Sequence, residues 1–127
     1  VNTLTPQEVL FLHHRIVIET GGMDGVRDIG LIEAALARPH AGFGGYDLYP
    51  DVFEKIASVV DALIQHHPFV DGNKRTGISV GGLLLIKNGR TLTATNQELE
   101  DFAVSIAVDH PEVADIANWF KEHSTEG

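Results

Sequence analysis

Between His67 and Gly77 the sequence HPFVDGNKRTG brings together a titratable base, a carboxylate, an amide, two cations and two glycines. Together these residue types suit the handling of a phosphate chain. Pro68 and Gly72 punctuate a turn, and a helix starts at about Asn73, whose first N–H groups lack internal partners and carry the positive end of the peptide dipoles. Lys74 and Arg75 sit at that end, where exposed cations cost about 0.3 to 1 kcal/mol each, an arrangement that makes sense if an anion is expected. Gly72 has no side chain and lets a ligand approach the backbone. Asp71 suits Mg2+, which takes one or two carboxylates and completes its shell with phosphate oxygens and water. Asn73 is placed to cap the helix and orient a neighbour, and His67 to act as general base toward a hydroxyl. Singly, each has an ordinary use as a core-edge histidine, a turn residue, a cap or a solvated first turn. Their combination is more specific than any one of them.

The elements that must position this stretch are helical. Val52, Phe53, Ile56, Val59, Val60, Leu63 and Ile64 recur at helical spacing after Pro50-Asp51, and extending that face by one step predicts that His67 points inward. Asn73 to Asn88 reads as a second central helix, apolar nearly all round and therefore buried. Gly77, Gly81 and Gly82 within it cost about 1 kcal/mol each relative to alanine, which close backbone packing would offset. Thr5-Pro6-Gln7-Glu8 opens a first helix with a capping box and marks Val9, Leu12 and Ile16 as its inner face. A second, capped by Asp28 or Gly30, carries Leu31, Ile32, Ala35 and Leu36 as far as Arg38. A fifth starts near Thr95 with Glu98 in its first turn, and a sixth at Pro111. Residues 39–49 form a loop or short hairpin with Phe43 and Tyr46 near its tip, and the tail after His123 is expected to fray. The class is all-α with at most a small hairpin, in one domain spanning 1–127.

Composition narrows the partners. The net charge of −9 argues against direct nucleic-acid binding, which needs a basic face; a small basic feature at Lys74 and Arg75 favours a compact phosphate ligand instead. The absence of cysteine removes thiolate chemistry and fits a reducing cytosol. No stretch reaches the ~18 to 20 apolar residues of a membrane span and no signal-peptide pattern begins the chain, so a cytoplasmic protein is expected. Other phosphate and metal motifs do not fit: G-x-x-x-x-G-K-[ST] and H-E-x-x-H are both missing, and His66 and His67 diverge on a helix.

At these residues the chain resembles the Fic/Doc superfamily, and within it the death-on-curing (Doc) branch of toxins from toxin–antitoxin pairs. The signature H-x-F-x-[DE]-G-N-G-R-x-x-R is met by His67, Phe69, Asp71, Gly72, Asn73 and Arg75. It departs at Lys74, where Fic adenylyltransferases have glycine, and at Ile78, where they have a second arginine. Both departures look like the Doc pattern, as do GGMDGVRDIGLIEAALARP from Gly21 to Pro39 and the Tyr49-Pro50-Asp51 helix entry. The resemblance implies a six-helix Fic/Doc fold, with the Phe43–Tyr46 loop as a target-docking flap. It further implies a protein kinase that uses ATP and Mg2+ and transfers the γ-phosphate to a threonine of elongation factor Tu, so that translation stops. His67 would then deprotonate the target hydroxyl and Asp71 would bind Mg2+, while Gly72, Asn73, Lys74 and Arg75 hold phosphates. A separate antitoxin is implied, its C-terminal segment folding into a groove beside the site. The inhibitory [ST]-x-x-x-E-[GN] helix of many Fic enzymes is not matched, because the residue four before Glu126 is Glu122. Two rival readings remain at this level: adenylylation or another nucleotide-derived transfer, and a non-catalytic nucleotide- or antitoxin-binding module.

Overall fold

A computed structural model describes residues 1–127. Six helices carry the chain: α1 Pro6–Thr20, α2 Ile29–Ala37, α3 Val52–Gln65, α4 Asn73–Lys87, α5 Asn96–Asp109 and α6 Val113–Glu122. Local chemistry explains most of their starts. Thr5 and Thr95 form capping boxes with Glu8 and Glu98, Asp28 caps α2 by accepting from the Gly30 N–H, and the Asp51 carboxylate accepts from the Phe53 and Glu54 N–H groups at α3. Arg38–His40 continues α2 as a single 3-10 turn rather than ending at Pro39.

α3 is the hub. It packs chiefly on α4 and α6 and also touches α2 and α5, and an unbroken run from Ile56 to Val60 is buried along it. The close approach expected at the α4 glycines is present. A Cβ at Gly77 would lie 2.6 Å from Ile64 Cγ1, and one at Gly81 would lie 2.8 Å from Val60 Cγ2. These glycines let the two central helices meet nearly backbone to side chain, which fixes the short turn between them. No helix is long and apolar enough to cross a membrane.

Four expectations are corrected. The buried row of α1 is Val9, His13 and Val17, whereas Leu12 and Ile16 are only partly buried; the i, i+4 row faces inward and carries the His13 ring onto Phe69. α4 is not buried all round, since Leu83 and Ile86 face outward. The sixth helix begins at Val113, with Glu112 and not Pro111 at its cap. The tail does not fray: Ser124–Glu126 forms a strand, β4, paired antiparallel with β3, Arg90–Leu92, with Thr91 opposite Thr125. Arg90 secures it by donating to the Ser124 carbonyl at 3.0 Å. The other ribbon is the expected hairpin, β1 Gly42–Phe43 with β2 Tyr46–Asp47. Gly44 and Gly45 both take positive φ, as a two-residue hairpin turn requires.

Candidate functional site

The turn between α3 and α4 is built against a second turn, Gly21 to Asp28. The Arg27 and Asp28 N–H groups both donate to the Pro68 carbonyl, at 2.8 and 3.0 Å, and the Val70 N–H donates to the Gly25 carbonyl at 3.1 Å. Val26 and Phe69 form a single β-bridge. Between these turns and the start of α4 lies an open cavity of about 430 Å³, lined by Val17, Thr20, Gly21, Gly22 and the consecutive residues Asp71, Gly72, Asn73, Lys74 and Arg75. A larger hollow of about 540 Å³, bordered by Arg38, Tyr49, Asp61 and His66, contains none of those five motif residues.

The start of α4 has the character of an anion site. Its N-cap is Gly72, at φ 79°, which offers no side-chain acceptor. The N–H groups of Asn73, Lys74 and Arg75 accordingly have no acceptor within the protein, and the first internal bond runs from the Thr76 N–H to the Gly72 carbonyl. A non-glycine residue at position 72 would be strained in this left-handed conformation, and its Cβ would crowd Val17 Cγ1 at 3.1 Å. Lys74 is exposed. Arg75 is exposed as well, and its Nη2 pairs with Glu100 Oε1 of α5 at 2.9 Å.

Asp71 is exposed and ionised. The Met23 N–H donates to Oδ2 at 3.1 Å and the Gly72 N–H to Oδ1 at 2.8 Å. These two donors, with smaller help from the charge of Lys74, hold the carboxyl below its usual range. Each oxygen keeps a lone pair, so the group suits a divalent cation that arrives with phosphates. No cluster of three or more His, Cys, Asp or Glu side chains is assembled to cage a metal by itself.

Two sequence expectations fail here. Asn73 does not cap α4: its Oδ1 accepts from the Phe69 N–H at 3.0 Å and its Nδ2 donates back to the Phe69 carbonyl at 3.1 Å, so it braces the turn. His67 does not point inward. α3 ends at Gln65, His66 caps it, and His67 takes the left-handed conformation at φ 51°, so the helical face stops before reaching it. Its exposed ring lies outside the cavity lining and is tied to it through Asn73, whose Nδ2 stands 3.4 Å from Nδ1. Phe43 and Tyr46 are 91% and 81% exposed on the hairpin and do not line the cavity either.

A buried histidine outside the motif also supports the site. His13 is 1% exposed, stacks on Phe69 with ring centroids 3.7 Å apart, and donates from Nε2 to the Asp71 carbonyl at 2.7 Å. It therefore supports the backbone that carries the carboxylate. Its only local signal was the Val9–His13–Val17 spacing.

The geometry thus joins Asp71, Gly72, Asn73, Lys74 and Arg75 in one cavity, with His67 at its edge. The Fic/DOC family profile matches residues 3–85, from the first helix through most of α4. The chain is 42% identical over 92 residues to a protein named Toxin Doc from Mycolicibacterium smegmatis, a match covering 72% of this chain and 66% of that one, just under two thirds of the relative's length. To the Protein kinase doc of Escherichia phage P1 it is 32% identical over 115 residues, covering 91% of this chain and 90% of the relative. With matches of this length running through the helices that build the site, the chain belongs to the Fic/DOC family, among its Doc members.

Proposed function

We propose that this chain is the toxin of a toxin–antitoxin pair and acts as a Mg·ATP-dependent protein kinase on a threonine of a translation factor, elongation factor Tu or a protein like it. The observation that carries the reading is the uncapped start of α4, where three backbone N–H groups without acceptors stand beside Lys74 and Arg75. This arrangement suits a phosphate chain; the name of the phage P1 relative, a protein kinase, points the same way, and that of the mycobacterial relative supports the toxin reading.

In this reading Gly72, Asn73, Lys74 and Arg75 hold the phosphates, and Asp71, whose ionised form its two N–H donors favour, would hold Mg2+. Bound there, the ion would supply positive charge against that of the phosphates. Both atoms of the Asn73 amide are fixed by Phe69, so its Nδ2 faces the His67 ring as a donor. The neutral imidazole then carries its proton on Nε2 and accepts at Nδ1, through a contact of 3.4 Å that a substrate hydroxyl can replace. The threonine oxygen bonds to the γ-phosphorus as the bond to the β-bridging oxygen breaks. ADP leaves, and the hydroxyl proton goes to His67. Phe43 and Tyr46 on the exposed hairpin are suited to receive the protein target. We assign the antitoxin's C-terminal segment to the face over the neighbouring hollow of about 310 Å³ between α1, α4 and α5, which shares Arg75 with the phosphate cavity.

Incubating the protein and elongation factor Tu with ATP labelled at the α or the γ phosphate tests this. Label from the γ position on a threonine is expected, and label from the α position alone would overturn the kinase reading in favour of adenylylation. His67→Ala should lower transfer by about 10² to 10⁴. Equal growth inhibition by this variant and the wild type would mean that catalysis is not the mechanism.

A further inference from the structure

We infer that Arg27 is a positioning residue for His67, an inference that rests on the reading of His67 as the base. Arg27 comes from the glycine-rich turn before α2, remote in sequence from the motif. Its guanidinium nevertheless grips the end of α3, with Nε donating to the His67 carbonyl and Nη2 to the His66 carbonyl, both at 2.7 Å. Its own N–H donates to the next carbonyl along, that of Pro68, at 2.8 Å. One residue thus holds three successive carbonyls.

Those carbonyls, of the C-cap His66 and of His67 and Pro68 beyond it, have no helical donor. The guanidinium also stands at the C-terminal end of α3, the negative end of its dipole, where a cation is favourable. α3 supplies no basic residue in its own last turn, so Arg27 provides that charge from outside. The grip also falls where the backbone is strained: His67 sits at φ 51°, one of only two non-glycine residues with positive φ. Such a conformation persists where surrounding contacts over-determine it, and it commonly serves a site. Arg27 fixes the His67 backbone while Asn73 meets the ring, so the imidazole is held from two directions.

Arg27 is exposed, and its bonds are not part of the hydrophobic core, so its replacement leaves no buried cavity. It lines neither the phosphate cavity nor the α1–α4–α5 hollow. A positioning role therefore has a signature different from that of a phosphate ligand or a packing residue.

The test compares Arg27→Ala, Arg27→Lys and His67→Ala with the wild type, in turnover of γ-labelled ATP with the protein target and in separate measurements of ATP affinity and thermal unfolding. Arg27→Ala should lower kcat about 10- to 100-fold, the scale of a misplaced reacting group, while KM for ATP changes by less than about twofold. Arg27→Lys should fall between the two, and guanidinium ion added at concentrations that leave the fold intact should restore part of the Arg27→Ala loss. In the His67→Ala background, Arg27→Ala should have little further effect. A wild-type kcat for Arg27→Ala overturns the inference, as does a loss that tracks lowered thermal stability and is not rescued by guanidinium. Failure of the underlying reading is distinguishable. If His67→Ala turns over like the wild type, His67 is not the base, and Arg27 is then judged by the ring-15N NMR of His67, which should shift in Arg27→Ala and would be unchanged if the clamp did not hold the residue.

Discussion

The two ends of α4 are finished in opposite ways. At the C-terminal end, Asn88 Nδ2 donates to the Leu84 and Asn2 carbonyls at 2.8 and 2.9 Å, and its Oδ1 accepts from the Asn2 N–H at 2.9 Å. Asn2 Nδ2 donates in turn to the Lys87 carbonyl, and Lys87 places a cation where the dipole favours one. At the N-terminal end, glycine offers no acceptor, no acidic residue stands in the first turn, and two cations oppose the dipole. The chain caps helices well elsewhere, with Thr5, Asp51 and Thr95. The open end of α4 is thus a local exception, and it coincides with the cavity. Stability is built at one end, while the other is left open where, in the proposed function, a phosphate would supply the missing charge.

A crossed pair of substitutions should separate the two ends. Arg75→Ala is expected to lower phosphoryl transfer by about 10² to 10³, the usual cost of removing one donor to developing charge. Its effect on unfolding free energy should stay below about 1 kcal/mol, because the ion pair it breaks is solvent-exposed. Asn88→Ala should do the reverse, lowering stability by about 1 to 3 kcal/mol through three lost hydrogen bonds while leaving turnover unchanged. Urea titrations alongside turnover of γ-labelled ATP read both quantities. Loss of turnover in Asn88→Ala at a temperature where the variant is folded would mean that the two ends are not independent.

Much of this contrast was legible in the residues. The apolar period marked α3 and α4, the glycines marked their close approach, and Asp71 to Arg75 were recognisable as one group because a turn and a helix start keep sequence neighbours together in space. What escaped notice depends on where that locality ends. Helical periodicity points His67 inward, and fails there because a left-handed residue beyond the last turn is not on the helical face. Asn73 was expected to cap, but the Phe69 backbone competes for its amide. His13 and Glu100 reach the site from helices distant in sequence, and β4 pairs with β3 across more than thirty residues. Such contacts follow from packing, which no local pattern encodes.

Glu100 makes the comparison sharper. It supplies the open end of α4 with a carboxylate from another helix, opposite Arg75 at 2.9 Å, and so partly occupies a cation that phosphate would engage. Glu100→Gln should therefore tighten ATP binding, by no more than about fivefold, since exposed pairs are worth about 0.2 to 1 kcal/mol. Calorimetric titration at low and high salt would read it. The gain should shrink as salt rises, because screening already weakens the pair in the wild type. Weaker ATP binding by Glu100→Gln would mean that Glu100 orients Arg75 for the phosphate and does not compete with it.

The smallest effect concerns the charge of Asp71. The Met23 and Gly72 N–H groups favour its ionised form, so its pKa in the folded protein lies below the ordinary 3.8. For a carboxyl depressed in this way, the unfolded chain takes up the proton first as pH falls. The contribution of Asp71 to stability is therefore complete above 3.8 and is lost as pH falls through the folded value. Carbon-13 titration of the side chain should show a midpoint below 3.8. In unfolding measurements from about pH 5 to pH 1, the wild type and Asp71→Asn should converge toward the acid end. The effect will be modest, because the carboxylate faces solvent. A midpoint at or above the ordinary value would mean that the two backbone donors do not hold the charge; a carboxyl of ordinary pKa is still ionised at neutral pH, so the result would remove the donors' role and not the carboxylate itself.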